Sequence, residues 1–102
     1  MNVDHQIAEK VIAAVKDSDG WKYVDHLHGC DSWIRKGLLV VKAIKEIGPA
    51  NPWEYVCVWI DGVEWRIPSE LRQFIYEAAW STFEKVKMLH VEQMKAHILS
   101  KL

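Results

Sequence analysis

The chain lacks the features that mark several familiar classes of protein. It has two cysteines in 102 residues and a net charge of −1, so neither a disulfide framework nor a strong electrostatic field defines it. No apolar run approaches the roughly 20 residues that cross a bilayer. Residues 1–6 are polar and lack the basic flank and apolar core of a signal peptide. These absences predict a cytoplasmic protein that is not associated with a membrane.

Motifs that mark catalysis are absent as well. The chain contains no nucleophile elbow, phosphate-binding glycine loop, dinucleotide fingerprint or zinc-protease helix motif. It also has no paired carboxylates at a spacing that suits acid–base catalysis. We therefore expect no enzymatic activity and no cofactor.

One cluster of metal-ligating side chains lies in the first third of the chain. His26, His28 and Cys30 are spaced two apart, so on a strand they would share one face. Imidazole and thiolate are zinc ligands, and Cys57 or His5 would have to supply the fourth. The spacing differs from that of the usual paired ligands, so we expect no bound metal. A small metal-binding protein or enzyme is the third functional alternative.

What the chain does have is apolar periodicity and six tryptophans. Over residues 4–16 apolar side chains recur at helical spacing, and the Asp-Ser-Asp-Gly sequence at 17–20 ends that pattern. Residues 21–27 alternate weakly, as in an edge strand. The side chains that share one side of it are Trp21, Tyr23 and Leu27. We expect an N-terminal helix followed by this strand.

The segment 32–47 fits two structures. Read as one continuous strand, it mixes charged and aliphatic residues on both faces, whereas a helical wheel groups most of its apolar residues. Asp31 can cap the start of a helix, and Gly48-Pro49 is a typical helix end. We therefore expect a helix, with a strand as the alternative because the aliphatic run 38–41 suits one.

The clearest local pattern is a β-hairpin. Residues 56–60 and 63–67 flank Asp61-Gly62, two residue types that accept the positive φ of a two-residue turn. Such a turn pairs Ile60 with Val63, Trp59 with Glu64, Val58 with Trp65 and Cys57 with Arg66. The face expected in the core is wholly apolar: Val56, Val58, Ile60, Val63, Trp65 and Ile67. We predict that Trp65 is buried.

A long helix follows Pro68, with Ser69 expected as its N-cap. Up to residue 86 its apolar side chains form one stripe, and beyond residue 87 they move to the opposite side. The residues of this second stripe are Met88, Val91, Ile98, Leu99 and Leu102. Either the helix breaks near 86–90 and folds back, or it continues and pairs with a second copy. Because no Gly or Pro follows Pro68, we expect a homodimer through this stripe.

Together the elements predict an α+β fold in which residues 1–102 form a single domain. A small antiparallel sheet centred on the 53–67 hairpin is flanked by the N-terminal helix and a long C-terminal helical segment. The second face of the hairpin is the candidate surface for binding a partner. Its residues are Trp53, Tyr55, Trp59, Glu64 and Arg66. The alternative is that the 32–47 helix covers this face as a second core layer.

These observations predict a small non-enzymatic binding or inhibitory module that covers a protein partner's surface. The alternative is a nucleic-acid-binding accessory protein, because aromatic side chains stack on bases and the C-terminal helix is mildly basic. The basic side chains are Lys85, Lys87, Lys95, Lys101, His90 and His97. Glu64, Glu84 and Glu92 dilute this charge. A contiguous basic stripe beside the aromatics would favour nucleic acid, and a mixed patch with a polar rim favours protein.

Overall fold

Two helices and five strands are formed by the residues that the structure describes. The computed structural model describes residues 2–24, 31–44 and 51–102. In chain order the elements are α1 (Val3–Lys16), β1 (Lys22–Val24), β2 (Asp31–Lys36), β3 (Leu39–Ile44), a 3-10 turn (Pro52–Tyr55), β4 (Cys57–Ile60), β5 (Val63–Trp65) and α2 (Ser69–Lys101). The predicted α+β fold is confirmed: along the chain, one helix precedes the strands of an antiparallel sheet and one follows them.

The five strands form an antiparallel meander in the order β1-β2-β3-β4-β5. Side chains of successive residues point to opposite faces of such a sheet. One row across the sheet, from edge to edge, consists of Tyr23, Ile34, Val41, Val58 and Trp65. The three central members of this row are completely buried. We call the face that carries the row the covered face and the opposite one the open face.

Both helices pack on the covered face and close the hydrophobic core. α1 contributes Ala8, Val11 and Val15, and α2 contributes a stripe of residues one turn apart. That stripe is Leu71, Ile75, Ala79, Phe83 and Val86. Where the helices meet, the buried hydroxyl of Thr82 donates a hydrogen bond to the carbonyl oxygen of Val15. This bond satisfies a polar group inside an otherwise apolar contact.

The prediction of a helix over 32–47 is wrong for residues 32–44, which form the β2–β3 hairpin. The turn at Gly37-Leu38 reverses the chain, and Gly37 has a φ of +59°. Because the turn resets the alternation, Ile34 pairs with Val41 on the covered face. In a single continuous strand Ile34 and Val41 would lie on opposite faces, whereas the turn places Leu39, Val41 and Ala43 on the same face as Ile34. Residues 45–47 lie outside the described residues.

The β4–β5 hairpin is confirmed in its turn and in the register of three pairs. Its strands are shorter than the predicted 56–60 and 63–67, and Arg66, predicted to pair with Cys57, lies outside β5. Asp61 and Gly62 both have positive φ, and the three pairs from Ile60–Val63 to Val58–Trp65 form as predicted. The apolar face is only partly core, since Ile60 and Val63 are exposed at the end of the hairpin. Trp65 is half-buried rather than buried. Its indole nitrogen donates to the Asp4 carboxylate at 2.9 Å, which ties β5 to α1.

α2 is one unbroken helix of 33 residues from Ser69 to Lys101. The fold-back alternative is therefore wrong, because the chain does not turn near 86–90. The predicted N-cap is also wrong. Pro68 occupies the cap position, Ser69 is the first residue of the helix, and no side chain caps this end. At about 1.5 Å per residue the helix is about 50 Å long. It accounts for most of the 57 Å longest dimension of the molecule.

The C-terminus of α1 is held by a tryptophan and an ion pair. The indole nitrogen of Trp21, which precedes the edge strand β1, donates to the carbonyl oxygens of Ala14 at 3.0 Å and Asp17 at 2.8 Å. The Asp17 carboxylate accepts from the Asp19 backbone and lies 3.3 Å from the ammonium of Lys36. These contacts connect α1 to the β1–β2 side of the sheet.

Candidate binding surface

Two tryptophans stack on each other at the centre of the open face. Trp33 of β2 and Trp59 of β4 have ring centroids 5.1 Å apart and planes inclined by 13°. Their strands are separated by β3, so the backbones are about 10 Å apart. The two indoles therefore lean towards each other across β3, beside Val40 and Lys42, which pair with Trp59 and Trp33 respectively.

The described side chains of the open face are all at least partly exposed. These side chains are Lys22, Val24, Trp33, Arg35, Val40, Lys42, Cys57, Trp59 and Glu64. The predicted alternative, a covering helix over 32–47, is excluded for residues 32–44 because they are strands of the sheet itself. α1 and α2 both pack on the other face.

Charged side chains of both signs surround the tryptophan pair. The ammonium of Lys42 lies 4.7 Å from the Trp33 ring centroid, within range of a cation–π interaction. Arg35 is exposed, and its Nε donates to the Gly37 carbonyl oxygen at 3.2 Å. On the other side Glu64 is paired with Trp59 across the β4–β5 hairpin. The surface therefore combines an aromatic centre with a charged rim.

A shallow open depression of about 570 Å³ adjoins the tryptophan pair. It lies where the two hairpin turns meet, and the backbone N–H of Asp61 donates to the Leu38 carbonyl oxygen at 3.0 Å. Its lining residues are Trp33, Arg35, Leu38, Val40, Trp59, Asp61 and Gly62. Leu38 is an exposed hydrophobic residue at its edge. The depression can receive an apolar side chain between Trp59 and Leu38.

The thiol of Cys57 also lies on the open face, next to Lys42. Burial raises the pKa of Cys57, and the nearby carboxylate of Glu64 raises it further. Its sulfur is 3.5 Å from the Tyr55 carbonyl oxygen. A thiol with a raised pKa is protonated at neutral pH, and the protonated form is a poor nucleophile and a poor metal ligand.

The structure separates the residues predicted for the binding face. Trp59 and Glu64 lie on the open face, but Trp53 and Tyr55 belong to the 3-10 turn, so strand alternation does not place them there. The guanidinium of Arg72 in α2 donates to the carbonyl oxygens of Glu54 and Val56, which anchors this turn to α2. Arg66 follows the last residue of β5. The assignment of Trp53 and Tyr55 to the strand face is therefore wrong.

A helix over 32–47 does not place four side chains of this candidate surface together, so the sequence did not identify them. They are Trp33, Arg35, Val40 and Lys42. The signal that could have revealed the β2–β3 hairpin is Gly37, because a glycine in the middle of this segment favours a turn over a continuous helix. Once the hairpin is recognised, its alternation places Trp33 on the same face as Trp59.

The candidate metal-ligating cluster, for which no bound metal is predicted, lies outside the described residues. His26, His28 and Cys30 all fall there. Of the suggested fourth ligands, His5 is exposed on α1 and Cys57 is on the open face. Within residues 2–24, 31–44 and 51–102, no three side chains of the metal-ligating types come together.

The second apolar surface is the distal half of α2, which we define as residues 87–101. The side chains predicted for self-association are all exposed there. Their exposed fractions are 68% for Met88, 37% for Val91, 55% for Ile98, 74% for Leu99 and 97% for Leu102, the residue that follows the helix. Leu89 and Met94, which are not among the residues predicted for self-association, are also exposed.

Neither α1 nor α2 has an apolar stretch long enough to cross a membrane. Comparisons of the chain with protein-family models, with curated proteins and with solved structures find no match.

Proposed function

We propose that this protein is a non-enzymatic binding module that covers a protein partner with the open face of its sheet. The observation that carries the proposal is the stacked pair of Trp33 and Trp59 on the face opposite both helices. Tryptophan and arginine are the residue types that most often dominate the energy of protein interfaces. Here an exposed arginine, Arg35, lies in the depression next to the pair.

The charge distribution supports a protein partner over a nucleic acid. The rim of the open face carries Arg35 and Lys42 but also Glu64 and Asp61, so it is not a continuous basic track. At 100° per residue the lysines of α2 are spread over an arc of about 200°, so they do not form a single stripe; they are Lys85, Lys87, Lys95 and Lys101. A mixed rim around an aromatic centre is the usual anatomy of a protein interface.

The depression indicates which part of a partner would be recognised. An apolar side chain that projects from the partner's surface would fit between Trp59 and Leu38. A carboxylate beside it would reach the guanidinium of Arg35, and a charged hydrogen bond of this kind is stronger than a neutral one. The partner that suits this surface is therefore a protein segment with an apolar side chain next to an acidic one.

The proposal is tested by affinity capture from the native host with the wild-type protein and three variants. Trp59→Ala and Arg35→Glu alter the open face, and Phe74→Ala is the matched control because Phe74 is an exposed aromatic on α2. We expect wild type and Phe74→Ala to capture the same partner in similar amounts. Trp59→Ala and Arg35→Glu should capture at least tenfold less of it. Calorimetry with the purified partner should then rank the affinities of the four proteins in the same order.

Two results would contradict the proposal. In the first, the captured partner binds Trp59→Ala as well as it binds wild type, while circular dichroism shows that the variant is folded. In the second, capture disappears after nuclease treatment and a labelled single-stranded oligonucleotide binds with a steep salt dependence. That second result would instead favour the nucleic-acid alternative.

A further inference from the structure

The distal half of α2 carries a seam of side chains at alternating spacings of three and four residues. Its members are Glu84, Lys87, Val91, Met94, Ile98 and Lys101, so it begins one turn before the distal half. This is the spacing of the interface positions in a two-helix coiled coil. The helix face that continues the buried stripe instead carries polar residues, namely His90, Gln93 and His97. The distal half is therefore amphipathic, and its apolar side does not continue the stripe that faces the core.

The apolar centre of the seam faces water in the single chain. Val91, Met94 and Ile98 are 37%, 48% and 55% exposed. Exposed apolar stripes of this length on soluble proteins usually mark a contact with another molecule. The charges at the ends of this stripe indicate which molecule packs on it.

The seam has opposite charges at its two ends. If Val91 of one copy lies opposite Met94 of an antiparallel second copy, then Glu84 lies opposite Lys101, since both pairs of residue numbers add to 185. Two-fold symmetry forms this ion pair twice, once at each end. The same alignment places Lys87 beside Ile98, where its aliphatic stem can cover the apolar side chain.

A parallel, in-register pair lacks this complementarity. It would place Glu84 against Glu84, Lys87 against Lys87 and Lys101 against Lys101, and like charges that face each other destabilise a helix pair. Within one chain Glu84 and Lys101 are 17 residues apart, about 25 Å along the helix, so they do not pair intramolecularly. The Glu84 carboxylate accepts a hydrogen bond from the Trp80 indole at 2.8 Å, which orients it on the outer side of α2.

We infer that two copies of this chain associate through an antiparallel pairing of residues 84–101 of α2. The overlap is 18 residues, about 27 Å long. This interface is at the small end of stable protein interfaces, so the dissociation constant is expected in the micromolar range. The open face of the sheet takes no part in it and stays accessible for the partner of the proposed function.

Sedimentation equilibrium up to about 200 µM tests the dimer. Wild type should show a monomer–dimer equilibrium, and Met94→Glu should be monomeric because it places a carboxylate opposite Val91 of the second copy. Ala96→Glu is the matched control, since Ala96 is exposed on a different side of the same helix turn. It should dimerise like wild type. A monomeric wild type, or a dimer unaffected by Met94→Glu, would overturn the inference.

A charge exchange tests the antiparallel alignment. Glu84→Lys and Lys101→Glu should each weaken the dimer roughly tenfold at low salt, because each change replaces two attractive pairs by two repulsive ones. The double exchange, with both substitutions in one chain, should restore the wild-type constant. If the double variant is as weak as either single variant, residues 84 and 101 do not face each other and the alignment is wrong.

Discussion

The two halves of α2 each carry an apolar stripe, but the two stripes have opposite environments. In the proximal half, residues 69–86, an apolar stripe is buried against α1 and the sheet, and Phe83 is 1% exposed. In the distal half, an apolar stripe of comparable length is exposed. The helix hydrogen bonds continue through both halves without a break. Helix formation is therefore continuous along α2, whereas every residue of the distal half except the half-buried His90 is exposed.

This difference shows that helix formation and burial have different causes. Backbone bonding between residues four apart is local, so it continues wherever the residues favour a helix and none breaks it. Burial requires another element to pack against, and beyond residue 86 the sheet supplies little: Tyr23 of β1 contacts the ring of His90 at 5.1 Å, and His90 is half-buried. We therefore expect the stability of the domain to depend on the proximal half and association to depend on the distal half.

The largest expected effect is that of Phe83→Ala in the proximal half. Removing this buried ring should lower the free energy of unfolding by about 4 kcal/mol, because the lost transfer energy adds to the cost of a cavity. Chemical denaturation followed by circular dichroism measures it. A loss below about 1 kcal/mol would mean that the proximal half is not the core that the structure describes.

The same contrast applies to the two faces of the sheet. Trp65→Ala on the covered face should cost about 3 kcal/mol, since it removes a half-buried indole and its hydrogen bond to Asp4. Trp59→Ala on the open face should cost about 1 kcal/mol, mainly through the stacking with Trp33. Thermal melts of the two variants compare them directly. Equal losses would show that the open face is a second core layer and would remove the basis for partner binding.

A matched pair of glycine substitutions compares the halves of α2 with the same chemical change. Ala79→Gly should cost about 2 kcal/mol, because helix propensity and a buried methyl group both contribute. Ala96→Gly should leave the free energy of global unfolding within about 0.5 kcal/mol of wild type, since the distal half can fray without opening the core. Amide hydrogen exchange should be faster in the distal half for that variant. An equal loss of global unfolding free energy in the two variants would contradict the assignment of stability to the proximal half.

The smallest expected effect concerns the ion pair at the end of α1. The hydrogen bond from the Asp19 backbone, together with Lys36, holds the pKa of Asp17 below its usual value of 3.8. Because the folded-state pKa is the lower one, ionised Asp17 stabilises the fold above that usual value, and the contribution is lost as the pH falls through the lowered pKa.

The variant Asp17→Asn isolates this effect, because the amide oxygen can still accept the Asp19 bond. Its melting temperature should lie slightly below that of wild type at pH 7 and converge with it once the pH falls below the lowered pKa of Asp17. High salt should reduce the difference at pH 7, since the pair is exposed. A gap that persists in strong acid would show that the charge is not its cause.

The elements with a strong local signal could be predicted from the sequence. Apolar side chains at helical spacing over residues 4–16 predict α1. Asp61-Gly62 determines the β4–β5 hairpin with its register, because both turn residues must accept positive φ. The shift of the apolar stripe after residue 87 is also visible in the sequence. It correctly predicts that the stripe leaves the core.

The β2–β3 hairpin, Trp33 and the buried fraction of Trp65 could not be predicted in the same way. A short apolar run satisfies both a helical and a strand pattern, and pairing with β4 and β1 decides between them. That pairing brings Trp33 and Trp59, 26 residues apart in the chain, into one stack. The sequence by itself determined the local periods and turns, whereas the tertiary structure decided which surfaces are covered, because burial depends on neighbours that are distant in the chain.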